Sequence, residues 1–106
     1  MKEETVVGVL LRFFEGEEAR AKTSLISRKG ESGRLVLISY GVPIAELKED
    51  EIVIKLAKWH TTPTGVVEYG RLEIQEVPHA EARRQHRKWL EIIAQEKGFR
   101  VEYEDY

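Results

Sequence analysis

The chain contains no cysteine, one methionine, three prolines and three histidines in 106 residues, and each scarcity removes a class of chemistry. Without cysteine there is no disulfide framework, no zinc ribbon and no thiol nucleophile, and the expected compartment is the cytoplasm. Long apolar runs are missing too. The best candidate, VVGVLLRFF from Val6 to Phe14, follows Glu3 and Glu4 and is broken by Arg12, so it lacks the pattern of a secretory signal. It also falls far short of the ~20 residues that a membrane span requires, so no membrane partner is expected.

Nucleotide-binding fingerprints are absent. GESG at Gly30 to Gly33 has neither the Walker lysine–hydroxyl pair nor GxGxxG spacing. No GxSxG elbow occurs, and Ser39, inside an apolar strand, has no acid–base partner indicated by the sequence. No cofactor is expected.

Charge is abundant. Asp, Glu, Lys and Arg make up 34% of the residues while the net charge is only −2, so the surface must be densely ionic with the two signs nearly balanced. This Glu/Lys/Arg bias, with few amides, is that of thermophile proteins. A 42% hydrophobic fraction supplies one core, and the length fits a single domain over residues 1–106.

Hydrophobic spacing sets the expected elements. Val7, Leu10, Leu11 and Phe14 recur at helical intervals, predicting a helix over residues 4–15 that Gly16 ends in a left-handed turn. Residues 17–34 are polar around the short SLIS run, which suggests a strand at Thr23 to Ser27. RLVLISYG, PIAEL and EIVIKLAKW are β-rich and separated by turn residues, predicting an antiparallel meander. A further strand is expected from Gly65 to Val77, with a bulge at Gly70. Pro78 can open a helix that runs to Lys97 and is stopped by Gly98, with Ala82, Trp89, Ile92 and Ile93, above Gln85 or His86, forming its apolar stripe. FRVEYEDY alternates and reads as a terminal edge strand. The expected architecture is therefore α+β: an antiparallel sheet of four or five strands, an N-terminal helix and one long C-terminal helix.

Histidines are the natural candidates for acid–base work or metal binding. His79 and His86 lie two turns apart, ~10 Å along one helix, and no HExxH spacing is present, so no metal site is expected. His60, in KWHTTPTG, follows a strand with Thr61, Thr62 and Thr64 beside it, and is the candidate catalytic residue for phosphodiester cleavage. The same stretch is ordinary turn chemistry, because Pro63 fixes φ and Gly65 takes a conformation that other residues resist.

The distribution of charge points to binding. Arg20, Lys22, Arg28, Lys29 and Arg34 against Glu31 leave a local surplus of four positive charges in residues 20–34, and Arg83, Arg84, Arg87 and Lys88 against Glu81 leave three in residues 79–90. Arg84, Arg87 and Lys88 lie opposite the expected stripe and should face solvent. Two such patches could neutralise a phosphate backbone, although the pI near 6.0 is below that of a dedicated binder. Ion pairing to the acidic termini is the competing explanation.

Ser39, Tyr40, Gly41, Pro43, Ile44 and Ala45, followed by Thr61 and Thr62, carry a resemblance to a small uncharacterised domain of phages, plasmids and archaeal mobile elements with a SYGxPIA…TT pattern. Pro63 stands where that pattern has Ser, and Val66 follows Gly65 where the pattern has its His. The resemblance implies an α+β domain of mobile-element origin and names no reaction. Taken together, these features predict a non-enzymatic protein that binds nucleic acid or another protein through Arg83, Arg84, Arg87, Lys88, Arg28 and Lys29. The alternatives are a phosphodiester-cleaving enzyme using His60, and a homo-oligomeric structural or inhibitory protein built through the C-terminal edge strand.

Overall fold

Thr5 determines where the first helix begins. Its side chain accepts a hydrogen bond from the Gly8 N–H at 3.1 Å, satisfying one of the amides that a helix start leaves open, and α1 runs over Val6–Phe14. The computed structural model describes the backbone of residues 2–22, 24–55, 58–62, 65–70, 73–75 and 77–104, and the side chains of residues 3–22, 24–55 and 81–104. Helix α1 buries Val9, Leu10, Phe13 and Phe14. It ends where Gly16 takes φ +80°, with Gly16 N–H donating to the Phe13 carbonyl and Glu17 N–H to that of Arg12. The long helix α2, Val77–Lys97, ends the same way: Gly98 lies at φ +77°, Gly98 N–H donates to Gln95 and Phe99 N–H to Ala94. Both ends are Schellman motifs, and both glycines were expected as helix stops.

The strands are β1 (Lys2–Glu3), β2 (Ala19–Ala21), β3 (Leu25–Lys29), β4 (Leu35–Ser39), β5 (Val42–Leu47), β6 (Glu51–Lys55), β7 (Lys58–Thr62), β8 (Gly65–Gly70), β9 (Glu73–Gln75) and β10 (Arg100–Glu104). Counting the two-residue β1, the main sheet has seven strands in the order β1-β2-β3-β4-β5-β6-β10. This corrects the expected all-antiparallel sheet of four or five strands. Its centre is the antiparallel meander β2 to β6, but β1 pairs with β2, and β6 with β10, in parallel. Parallel neighbours need a long crossover. The chain between β1 and β2 contains α1 and that between β6 and β10 contains α2, so each helix accompanies one parallel pair.

Two other expectations are corrected. EIVIKLAKW is not one strand: β6 ends at Lys55 and KWHTT forms β7. The run from Gly65 to Val77 is not one bulged strand either, because β8 and β9 pair back on each other with Gly70 opposite Glu73. Strands β7, β8 and β9 make a separate three-stranded antiparallel sheet, whose β7–β8 ladder closes with Thr62 opposite Gly65. The chain thus reverses between Thr62 and Gly65; the expected turn residues Pro63 and Thr64 lie outside the described residues.

Alternation places the core. Leu25 and Ser27, Leu35, Leu37 and Ser39, and Ile52 and Ile54 are buried at every second position, as for strands covered on one face. Helices α1 and α2 supply Val9, Leu10, Phe13, Leu90 and Ala94 to the same cluster. On the opposite face Ile26, Val36, Ile38, Pro43 and Val53 are only partly buried.

The β4–β5 hairpin turns on Tyr40 and Gly41, at φ +47° and +83°, with Ser39 opposite Val42. Positive φ at both central residues is the turn geometry that suits strand twist, and glycine reaches it without the Cβ penalty that Tyr40 bears. Pro43, which lacks an N–H, sits beside the register shift at Leu37/Ile38, where a bulge tolerates it. A Cβ at Gly41 would meet no atom within 4 Å. Gly41→Ala should therefore cost about 1–2 kcal/mol from backbone conformation alone, read as a lowered urea midpoint at constant m.

Candidate functional site

Helix α2 packs against the core through Trp89 and Ile93 as expected, but it is turned so that its most buried line lies to one side of them. Arg83, His86, Arg87, Leu90 and Ala94 are its buried line, whereas Ile92 is 47% exposed. A stripe drawn by apolarity alone puts Arg87 in solvent. The fold instead buries Arg83 completely and leaves Arg87 at 6% exposure. Arginine can be taken inside when its donors find acceptors, and Arg87 Nε donates to the Lys55 carbonyl at 2.8 Å.

Between these arginines, His86 Nδ1 lies 2.7 Å from Ser39 Oγ. The Tyr40 ring stacks on the imidazole with centroids 6.3 Å apart and 6° between planes, and Trp89 lies at 6.0 Å. Burial, and then the charges of Arg83 and Arg87, lower the His86 pKa to about 4, so the ring is neutral at pH 7. A hydroxyl and an imidazole at this distance have the spacing of a nucleophile and its base. Ser39, however, is fully buried and His86 nearly so, and the contact serves as an interior tie that fixes the turn end of β4 to α2. Sequence reading missed this pair because the partners are 47 residues apart. The available signal was a polar serine ending an apolar strand and a histidine under a helix stripe.

The remaining candidates separate. Arg84 and Lys88 are exposed on α2, and Arg84 pairs with Glu81 at 3.5 Å. Arg28 and Lys29 are exposed at the end of β3. Arg28 lies opposite Val36 in the ladder, which puts it on the face away from the helices, so the helix cations and Arg28 belong to different layers. Arg20, opposite Ile26, is diagonal to Arg28 on that same face. The side chains of His60, Thr61, Thr62 and His79, and residues Pro63 and Thr64 altogether, fall outside the described residues.

Ion pairing accounts for many of the surface cations. Arg12 engages Glu4 at 3.2 Å and Glu17 at 3.0 Å, which raises its pKa further. Arg34 reaches Glu46 at 3.3 Å, Arg100 meets Glu51 at 3.3 Å and Asp50 at 3.7 Å, Lys48 meets Glu51 at 3.8 Å, and Lys55 meets Glu104 at 3.5 Å. Among the described residues, Arg20, Arg28, Lys29 and Lys88 have no such pair.

Two clefts differ in this respect. The larger, about 640 Å³, has Phe14 and Phe99 in its wall, and its cations Arg34, Lys48 and Arg100 are all paired. The smaller, about 450 Å³, opens on the sheet face away from the helices, beside Arg28, Lys29, Ser32, Ile38, Pro43 and Lys55. It also contains Glu31 and Glu46, the latter engaged by Arg34. Among the described residues no group of three or more His, Cys, Asp or Glu could hold a metal ion, and no helix is long and apolar enough to cross a membrane. No protein-family model, no curated protein and no solved structure matches the chain.

Proposed function

We propose that the chain is a non-enzymatic binding protein that engages the phosphate backbone of nucleic acid through Arg20 and Arg28, on the sheet face away from the helices, and Lys29 beside them at the end of β3. One observation carries the reading. Ion pairing absorbs Arg12, Arg34, Lys48, Lys55, Arg84 and Arg100, but among the described residues it leaves Arg28 and Lys29 exposed beside one cleft, and Arg20 exposed diagonally to Arg28. Their charges can be neutralised by phosphates, with release of counterions. Contacts to phosphate carry no sequence information of their own, so affinity should depend weakly on sequence. The SYGxPIA resemblance supports a mobile-element origin for such a protein. Arg84 and Lys88, on the other layer, contribute at most a separate contact.

The test is a salt titration of binding to random single-stranded and duplex DNA and RNA. Binding should weaken linearly on a log–log plot, and Arg28→Ala/Lys29→Ala should lower the slope by about 2, roughly one per lost phosphate contact. No binding at low salt, or a slope that the double substitution leaves unchanged, would overturn the reading.

A further inference from the structure

The outer surface of the helical layer has a different character from the sheet face. Val7, Leu11 and Ile92 are exposed at 53%, 41% and 47%, and Val7, Leu10, Trp89, Ile92 and Ile93 line a shallow apolar cleft of about 200 Å³ between α1 and α2. Scattered exposed apolar residues are normal, but a contiguous patch centred on a half-buried tryptophan is the composition of an interface core.

The charges beside this patch indicate which partner fits it. Along the exposed line of α2, Ile92 has Lys88 one turn before it and Glu96 one turn after it, and both are exposed. Neither is in an ion pair among the described residues. A surface with opposite charges placed symmetrically about an apolar centre is complementary to itself under a two-fold rotation. If two copies of α2 cross antiparallel at Ile92, Lys88 of each meets Glu96 of the partner subunit and Ile92 packs on the partner subunit's Ile92. Trp89 and Val7 of each copy then fill the groove alongside.

The length of α2 suits such a crossing. A 21-residue helix is about 30 Å long. A stable interface takes about 800 Å² from each partner, a small fraction of the 6503 Å² surface of the chain.

We propose that the chain forms a two-fold symmetric homodimer through the exposed faces of α1 and α2, with Ile92 at the axis and reciprocal Lys88–Glu96 pairs flanking it. The dimer leaves the sheet faces away from the helices outside the interface, so it does not compete with the proposed nucleic-acid surface. It is also distinct from strand addition at β10, which would lengthen the sheet.

Sedimentation equilibrium of the full chain over a range of concentrations tests this, with circular dichroism to confirm that each variant is folded. The wild type should fit a monomer–dimer equilibrium. Ile92→Glu should weaken it by about a hundredfold or more, as expected for a central hot spot. Lys88→Glu should weaken it about tenfold, since two exposed pairs become repulsive, and Lys88→Glu combined with Glu96→Lys should restore it. A wild type that stays monomeric up to its solubility limit overturns the proposal. So does assembly beyond a dimer, a dimer indifferent to Ile92→Glu, or a charge swap that fails to rescue, these outcomes pointing to another occupant or another surface.

Discussion

Acidification from pH 6.5 to about 4 should remove about 3 kcal/mol of folding stability through His86 alone. In the unfolded chain this imidazole titrates at its ordinary value of 6.5, and in the folded protein at about 4. Between those values the unfolded state binds a proton that the folded state refuses, so stability is complete above pH 6.5 and is lost as pH falls. The loss does not come from breaking the contact to Ser39, because a protonated imidazole could still donate to the hydroxyl. It comes first from taking the charged ring out of water, and second from its repulsion by Arg83 and Arg87. Urea unfolding at a series of pH values, for the wild type and His86→Gln, isolates the effect, since carboxylates and the other histidines titrate in both proteins. The wild-type advantage should shrink steadily across that window. Parallel stability curves would mean that the imidazole is solvated in the folded protein.

How much of this was legible from residues alone depends on whether the cause was local. Both helices, their glycine stops and the β4–β5 turn follow from spacing and backbone preference within a few residues. The parallel edges were not legible. FRVEYEDY alternates equally well in either direction, and only the crossover containing α2 aligns β10 with β6, Arg100 opposite Glu51. The rotation of α2 was misread for a related reason. An apolarity stripe treats arginine as a surface residue, whereas Arg87 is held inside by the Lys55 carbonyl on a strand 32 residues away. Of the expected binding residues, Arg28, Lys29, Arg84 and Lys88 do reach the surface, but which cations lack an acidic neighbour is a three-dimensional property. Glu46 meets Arg34 across the β4–β5 pair, a contact that neither segment announces.

The packing of α1 supports a second large effect, and it tests the same geometry on which the dimer depends. Phe13 is fully buried, meets the Phe14 ring edge-on at 5.8 Å, and belongs to the cluster with Leu25, Leu37 and Ile54. Phe13→Ala should destabilise the fold by about 3–5 kcal/mol, the transfer cost of the ring plus the cavity it leaves. Leu11, two residues earlier on the same helix, is 41% exposed, so Leu11→Ala should change monomer stability by no more than about 0.5 kcal/mol. Helix propensity cannot account for the contrast, because alanine is at least as good a helix former as either residue. The two variants remove side chains from different sides of α1, and the larger ring at Phe13 adds to the contrast. Denaturant unfolding at low protein concentration, where association contributes little, measures both. Equal costs would mean that α1 is turned about its axis, and would move Val7 and Leu11 out of the outer helical surface.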